Sequence, residues 1–304
     1  MKRFLILSLL LFKIMAAAAE PNIARIDVIT AADNPAGNDL AGGVQHALQQ
    51  AWPGLSVTVH SSDGYQNNDA QTTIAIAVGD AALPWLNGKA NFAGAIAFYV
   101  SSIAFNADDK HDRKITALYR DQPLSRQLRL AKLLLPHLQS AAIIHGSRPL
   151  PQSNTELQRD SDVLITDAVI DNQTEWPKLL SQLMRDNDVL LGIDDPQIYN
   201  SDTIRSVLLT TYRHGKVLIG PSRAFVNAGS LASCYTASDQ YLQQLVAMVG
   251  AFLQDRKLMR PQYPKVFRVA INSQVAASLN LSIPDEKIIS AWLQNQPGDC
   301  GNGC

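Results

Sequence analysis

The residues best suited to chemistry in this chain sit in compact polar turns, each following an apolar run. Gly79-Asp80 closes one run, Ser101-Ser102 another, and His145-Gly146-Ser147-Arg148 a third. Asp194-Asp195 follows Val189–Ile193 with Tyr199 a few residues on, and Ser222-Arg223 follows Lys216–Gly220 through Pro221. These side chains are of the kinds that hold a polar solute. The Arg223 guanidinium presents a planar fork that matches a carboxylate. Asp194 or Asp195 can receive an amine. The hydroxyls of Ser101, Ser102, Ser147 and Ser222 can bond ligand oxygens, Gly79 and Asp80 hold the equivalent turn, and Tyr199 can wall a cleft. Each has a plainer competitor: an ion pair for Arg223, a helix cap for Asp195 before Pro196, and packing for Tyr199.

Several catalytic chemistries have no support. The six histidines, His46, His60, His111, His137, His145 and His214, form no zinc-binding pair at helical spacing. There is no G-x-S-x-G elbow, and Ala41-Gly42-Gly43 lacks the glycine and lysine of a phosphate loop. His145 near Asp167 or Asp194 reads as a relay or as a buried, hydrogen-bonded histidine. No catalytic residue, no metal and no cofactor is expected. Without residues 1–19, which carry Lys2, Arg3 and Lys13, the balance is 23 basic to 27 acidic side chains. A mildly acidic chain without basic runs is a poor nucleic-acid binder, because phosphate contacts need clustered Lys and Arg.

The elements that must position these turns alternate between strand and helix. Strands are expected at Ala24–Thr30, Leu55–His60, Thr73–Gly79, Gly94–Val100, Ala141–His145, Val163–Ile170, Val189–Ile193, Lys216–Gly220 and Val266–Ile271. Helical patterns fall at Asp39–Trp52, Asp80–Leu86, Pro123–Leu138, Pro151–Asp160, Trp176–Arg185, Ser201–His214, Asp239–Gln254 and Pro284–Gln294. Short, continuous apolar runs suit parallel strands covered on both faces. Strand–helix alternation then specifies sheets joined by right-handed crossovers. The length suits two units, which places the polar turns at the carboxyl ends of strands, where open α/β sheets bind ligands.

Met1-Lys2-Arg3 followed by apolar Phe4–Phe12 and Ala17-x-Ala19 reads as a cleavable export signal over residues 1–19. The apolar stretch is far short of the about 20 residues a membrane span needs. No cysteine follows the cleavage site, so a soluble periplasmic protein without a lipid anchor is expected. At the other end, Cys300 and Cys304 bracket two glycines in a tail over residues 296–304. A small disulfide suits an oxidising compartment, with free thiols or a metal or redox pair as alternatives. Cys234, within Leu231–Tyr235, reads as a buried small hydrophobe.

Ile115–Pro136, with Asp121-Gln122-Pro123 ahead of Arg126-Gln127-Leu128, resembles the segment linking the lobes of ABC-transporter periplasmic substrate-binding proteins. The branch includes tryptophan- and tyrosine-uptake components. Lys216–Ala232, the helix from Ser238 to Val249 and Asn272–Leu281 are similar as well. The resemblance implies a type I periplasmic-binding-protein fold: two Rossmann-like α/β lobes with parallel sheets, joined by a hinge the chain crosses several times. One lobe would comprise residues 20–119 with about 237–265, the other 120–236 with about 266–295. It implies a non-catalytic monomer that closes on a small polar, amino-acid-like ligand for delivery to a membrane permease. The alternative is a periplasmic sensor or receptor-accessory module that uses the same fold to touch a membrane partner.

Overall fold

The computed structural model describes residues 22–66, 69–87, 92–107, 114–171 and 175–296. The expected signal sequence and the Cys300–Cys304 pair lie outside the described residues. Five parallel strands, β1 (Arg25–Thr30), β2 (Ser56–Ser61), β3 (Thr73–Val78), β4 (Gly94–Val100) and β5 (Ile115–Tyr119), form one sheet in the order β2-β1-β3-β4-β5. A second sheet contains β6 (Ser140–His145), β7 (Leu164–Val169), β8 (Val189–Leu191), β9 (Val217–Ile219), β10 (Ala232–Tyr235) and β11 (Arg268–Ile271). Its order is β11-β10-β9-β8-β6-β7, with β11 antiparallel to β10 and the other pairs parallel. The helices are α1 (Pro35–Ala51), α2 (Leu83–Asn87), α3 (Ser102–Asn106), α4 (Leu124–Leu134), α5 (Asn154–Ser161), α6 (Trp176–Asp186), α7 (Ile204–Arg213), α8 (Arg223–Ala228), α9 (Ser238–Asp255), α10 (Ser273–Ser278) and α11 (Glu286–Gln294). Among the described residues no helix is long and apolar enough to cross a membrane.

The first sheet sorts its side chains by size. Ile26, Val28, Ile74, Ile76, Val78, Ile96 and Phe98 point to one face, where Ala41, Val44 and Leu48 of α1 and Tyr241, Leu245, Met248, Val249 and Phe252 of α9 cover them. The other face carries Ala75, Ala77, Ala95, Ala97 and Ala117, and the space these leave is filled by Tyr65, Leu83, Leu86, Phe92 and Phe105. Period-2 alternation thus presents large residues to long helices and small ones to bulky side chains from short helices and loops. Gly94 is required by the first arrangement: a Cβ there would come within 2.7 Å of the Phe252 ring.

Two expectations need adjustment. The first helix begins at Pro35 rather than Asp39, because Asn34 caps it through Gly37 N–H and proline suits the first turn. Strands β5 and β10 are additional to those read from sequence.

The chain passes between the sheets three times, after β5, after β10 and between α9 and β11. These passages are fastened to one another. Gln122 Nε2 donates to Thr236 Oγ1 at 3.1 Å, and Thr236 Oγ1 donates to Val266 O at 3.0 Å. Arg126 is 2% exposed; it donates to Gln122 Oε1 and to Pro264 O, and stacks 3.9 Å above the Phe267 ring. Next to it, Gln127 accepts from Cys234 N–H and donates to Gly220 O, so α4 is tied to the ends of β9 and β10. Gln122, Arg126 and Gln127 each find partners where they are buried, which is the condition for burying them.

Replacing Arg126 with alanine strands the Pro264 carbonyl and opens a void above Phe267. We expect a loss of about 2–4 kcal/mol in urea unfolding. Arg126→Lys should recover less than half, since one ammonium cannot reproduce the fork and the stacking.

Candidate functional site

The carboxyl ends of β3, β4 and β5 face those of β6 and β8, and the polar turns meet there. Gly79, at φ 77°, occupies backbone space that side-chain-bearing residues avoid, and turns the chain so that Asp80 points back across the end of β4. Asp80 Oδ1 accepts the Ser101 N–H at 2.7 Å. Its other oxygen lies 2.8 Å from Arg120 Nη1. From the opposite lobe, Asp194 Oδ2 lies 2.6 Å from Arg120 Nε. One guanidinium, directly after β5, is therefore shared by carboxylates from both lobes. Ser101 adds a second cross-lobe contact, its hydroxyl donating to Asp194 O at 3.3 Å.

Asp121 has a different partner. It accepts both the N–H and the hydroxyl of Ser102, holding the start of α3. Between the lobes is a cavity of about 160 Å³ lined by Asp80, Ser101, Ile103, Ala104, Gly146, Ser147, Arg148, Asp194, Asp195, Pro196 and Gln197. A smaller space of about 20 Å³ adjoins Ser102, Asp121, Gln122, Gln152 and Tyr263.

Of the residues singled out in the sequence, Asp80, Ser101, Ser147, Asp194 and Asp195 line the larger cavity and Ser102 the smaller one. Asp195 spends its oxygens on backbone: Oδ2 accepts from Gly146 N–H at 2.8 Å and Oδ1 from Gln197 N–H at 3.0 Å, which fixes the loop carrying Ser147. Tyr199 is buried in the second lobe with its ring against Phe225. Ser222 precedes α8, and Arg223 opens it, exposed, with its guanidinium 5.3 Å from the Tyr235 ring centre. These last three do not line the cavity. His145 is buried at the end of β6, with Nε2 3.3 Å from Asp167 Oδ2 and Nδ1 2.7 Å from Gly146 O.

Arg120 and Asp121 are the central residues that the sequence reading did not single out. Their signal was the same as elsewhere, an apolar run ending in a polar turn. It was hidden because Ile115–Tyr119 reads as part of the linker between lobes.

The electrostatics follow from burial. Burial alone would lower Arg120, but Asp194 and Asp80 outweigh it and hold the guanidinium charge above its ordinary range. Burial raises Asp194; Arg120 opposes this, while Asp80 and Asp195 add to it. Asp121 is pushed up to about 7 by burial and then by the nearby Asp194 carboxylate, against the pull of the Ser102 hydrogen bonds. Such an arrangement can clasp a charged solute between lobes.

No protein-family model and no curated protein matches the chain. Solved structures do. An ABC domain from Streptococcus pneumonia in complex with L-Trp is 16% identical, superposes with a TM-score of 0.58, and the match covers 89% of this chain and 98% of that one. A substrate-binding protein with adhesive properties from Clostridium difficile, in its ligand-free, open structure, is 14% identical at a TM-score of 0.60, with 87% and 97% covered. A periplasmic ribose ABC transporter from Conexibacter woesei is 13% identical at 0.52, with 90% and 97% covered. This chain has the type I periplasmic-binding-protein fold. In a type I fold the two lobes face each other across the strand ends, and here that is where Arg120 joins Asp80 to Asp194.

A carboxyl group raised in the folded state retains a proton that the unfolded chain has released. Asp121 therefore contributes stability that is full below about pH 4 and is lost as pH rises toward about 7. Asp194 contributes with the same sign. Urea midpoints measured across this window should fall with rising pH, and Asp121→Asn should flatten the slope without abolishing it. An unchanged slope would show that Asp121 ionises as an ordinary carboxylate.

Proposed function

We propose that this chain is an exported solute-binding protein that closes its lobes on a small polar, amino-acid-like ligand and presents it to an ABC-transporter permease. The observation that carries this reading is the convergence of Asp80 and Asp194, from opposite lobes, on the single cation Arg120. A zwitterion can exchange into that arrangement. Its carboxylate takes the Arg120 fork, and its ammonium takes the place the guanidinium leaves at Asp194. One ligand can make both new contacts at once only when the lobes are together, so it supplies the differential affinity that shifts the open–closed equilibrium. The cavity of about 160 Å³ suits a small solute, and Ser101, Ser147 and the Gln197 side chain supply further polar partners around it. The L-Trp complex among the similar structures supports an amino-acid ligand. The ribose transporter supports a sugar, but a neutral sugar would leave the charges of the cleft unanswered. Binding and release account for the site without a catalytic step, and the N-terminal export pattern supports a periplasmic location.

One fact favours the sensor or receptor-accessory reading: Arg120 already joins the lobes through the protein's own side chains. Such a module needs no solute.

A thermal-shift series with single L-amino acids, their des-amino carboxylates (propionate for L-alanine) and D-ribose separates the two. A ligand at 100 times its Kd adds about 2.7 kcal/mol, a rise of a few degrees for a chain of this size. We expect stabilisation by an amino acid and none by its des-amino carboxylate. Arg120→Gln and Asp194→Asn should each weaken binding at least tenfold, by about 1.4 kcal/mol or more, whereas Arg223→Ala should change it little. Stabilisation by D-ribose alone would replace the amino-acid ligand with a sugar. No shift with any probe would favour the module.

A further inference from the structure

The charged side chains lining the cavity between the lobes are Asp80, Asp194, Asp195 and Arg148. The three carboxylates are answered within the protein. Asp80 and Asp194 share the Arg120 guanidinium, and Asp195 accepts the Gly146 and Gln197 N–H groups. The Arg148 guanidinium has no ion-pair or hydrogen-bond partner among the described residues, although its backbone carbonyl does. It is exposed, on the second lobe's side of the cavity, in the turn that follows β6. That turn is fixed from two directions. His145 Nδ1 lies 2.7 Å from Gly146 O and 3.2 Å from Arg148 O; carbonyls only accept, so Nδ1–H is the donor to both. From the other side Asp195 holds the Gly146 N–H. The fit is close enough that a Cβ on Gly146 would stand 2.5 Å from Gln197 Oε1 and 3.2 Å from Asp195 Oδ2. The backbone carrying Arg148 is therefore set in place, while its guanidinium stays free to bind.

We propose that Arg148 is a second anchor for the ligand's carboxylate, binding it from the second lobe while Arg120 binds it from the first. The inference rests on the solute-binding reading above and adds the residue that balances its charges. Asp195 is already answered by two backbone amides. With a zwitterion in place, the remaining negative groups are Asp80, Asp194 and the ligand carboxylate. Against them stand Arg120 and the ligand ammonium, one cation short, and Arg148 supplies the third. One guanidinium fork does not exhaust a carboxylate, which has about four lone-pair sites. Arg120 also remains shared with Asp80 when the ligand ammonium replaces it at Asp194, so the carboxylate has reason to seek a second donor. An amine without a carboxylate, or a neutral sugar, leaves Arg148 unanswered.

The test is calorimetric titration of the full chain and of Arg148→Gln, Arg148→Lys and Arg223→Gln with L-alanine, L-leucine, L-tryptophan and their carboxamides. For an amino acid that the wild type binds, Arg148→Gln should lose about tenfold, and Arg148→Lys should fall between the two, keeping the charge but not the fork. Arg223→Gln removes the same charge away from the cavity and should stay within about twofold, since salt screens distant exposed charges. The carboxamide, which lacks the carboxylate, should bind wild type about tenfold more weakly than the acid and should not distinguish wild type from Arg148→Gln. Without ligand, Arg148→Gln should melt with the wild type, because the side chain is exposed. A folded Arg148→Gln that binds the amino acid as tightly as wild type overturns the inference and leaves the solute-binding reading intact. So does an equal loss in Arg223→Gln, or a carboxamide that suffers from Arg148→Gln as much as the acid does. A wild type that binds none of the amino acids overturns the amino-acid ligand and this inference together.

Discussion

The buried Arg126 side chain is the constraint on which the two-lobed arrangement depends. A chain that passes three times between its halves can move as a hinge only if the three passages move together. Arg126 reaches the first passage at Gln122 and the third at Pro264, while Gln122 reaches the second at Thr236. Its charge is out of water, so its donors must be answered by fixed acceptors. That requirement gives the junction directionality that apolar packing alone lacks. Stacking on Phe267 then seats the guanidinium against the second lobe.

Above this junction the cleft carries more negative than positive charge, and the protein manages the excess in three ways. Arg120 is divided between Asp80 and Asp194, so that one cation has a counter-charge from each lobe. Asp121, adjacent in sequence and raised to about 7, is largely relieved of its charge in mildly acidic surroundings. Asp195 is a third case, its carboxylate committed to the Gly146 and Gln197 amides. Four neighbouring aspartates thus do three different jobs, set by what each faces.

Much of the architecture was legible because parallel strands buried on both faces appear as short apolar runs. TIAIAV and GAIAFYV could hardly be anything else. Strand β5 was harder to see, since Thr116 and the terminal Tyr119 blur its run and the segment doubles as the first passage. Strand β10 has only four residues, and its neighbours β9 and β11 are what make it a strand. The polar turns at the ends of β3, β4, β6 and β8 were readable from composition. Which arginine faces them was not. Arg223 and Arg120 both follow an apolar run, and only the pairing of β10, which places Tyr235 beside Arg223, separates the exposed one from the one in the cleft. The change of pairing register between β4 and β5 at Tyr99, where φ is 59°, likewise leaves no trace in the continuous apolar run GAIAFYV.

The covering of the first sheet by α9 has a further consequence, for the order in which the molecule can be made. The apolar face of β1, β3 and β4 is completed by residues from Tyr241 to Phe252, and the second sheet is completed by β11 beyond them. Neither lobe is therefore a finished unit until the ribosome has delivered most of the chain, although domains generally fold as units from the N-terminus during synthesis. An emerging first lobe would lack one of the two helices on its larger-residue face, and contacts so distant along the chain are slow to form. The interleaving that joins the two lobes in the native state also keeps the growing polypeptide unfinished, the state in which a chain can still be threaded through a narrow pore.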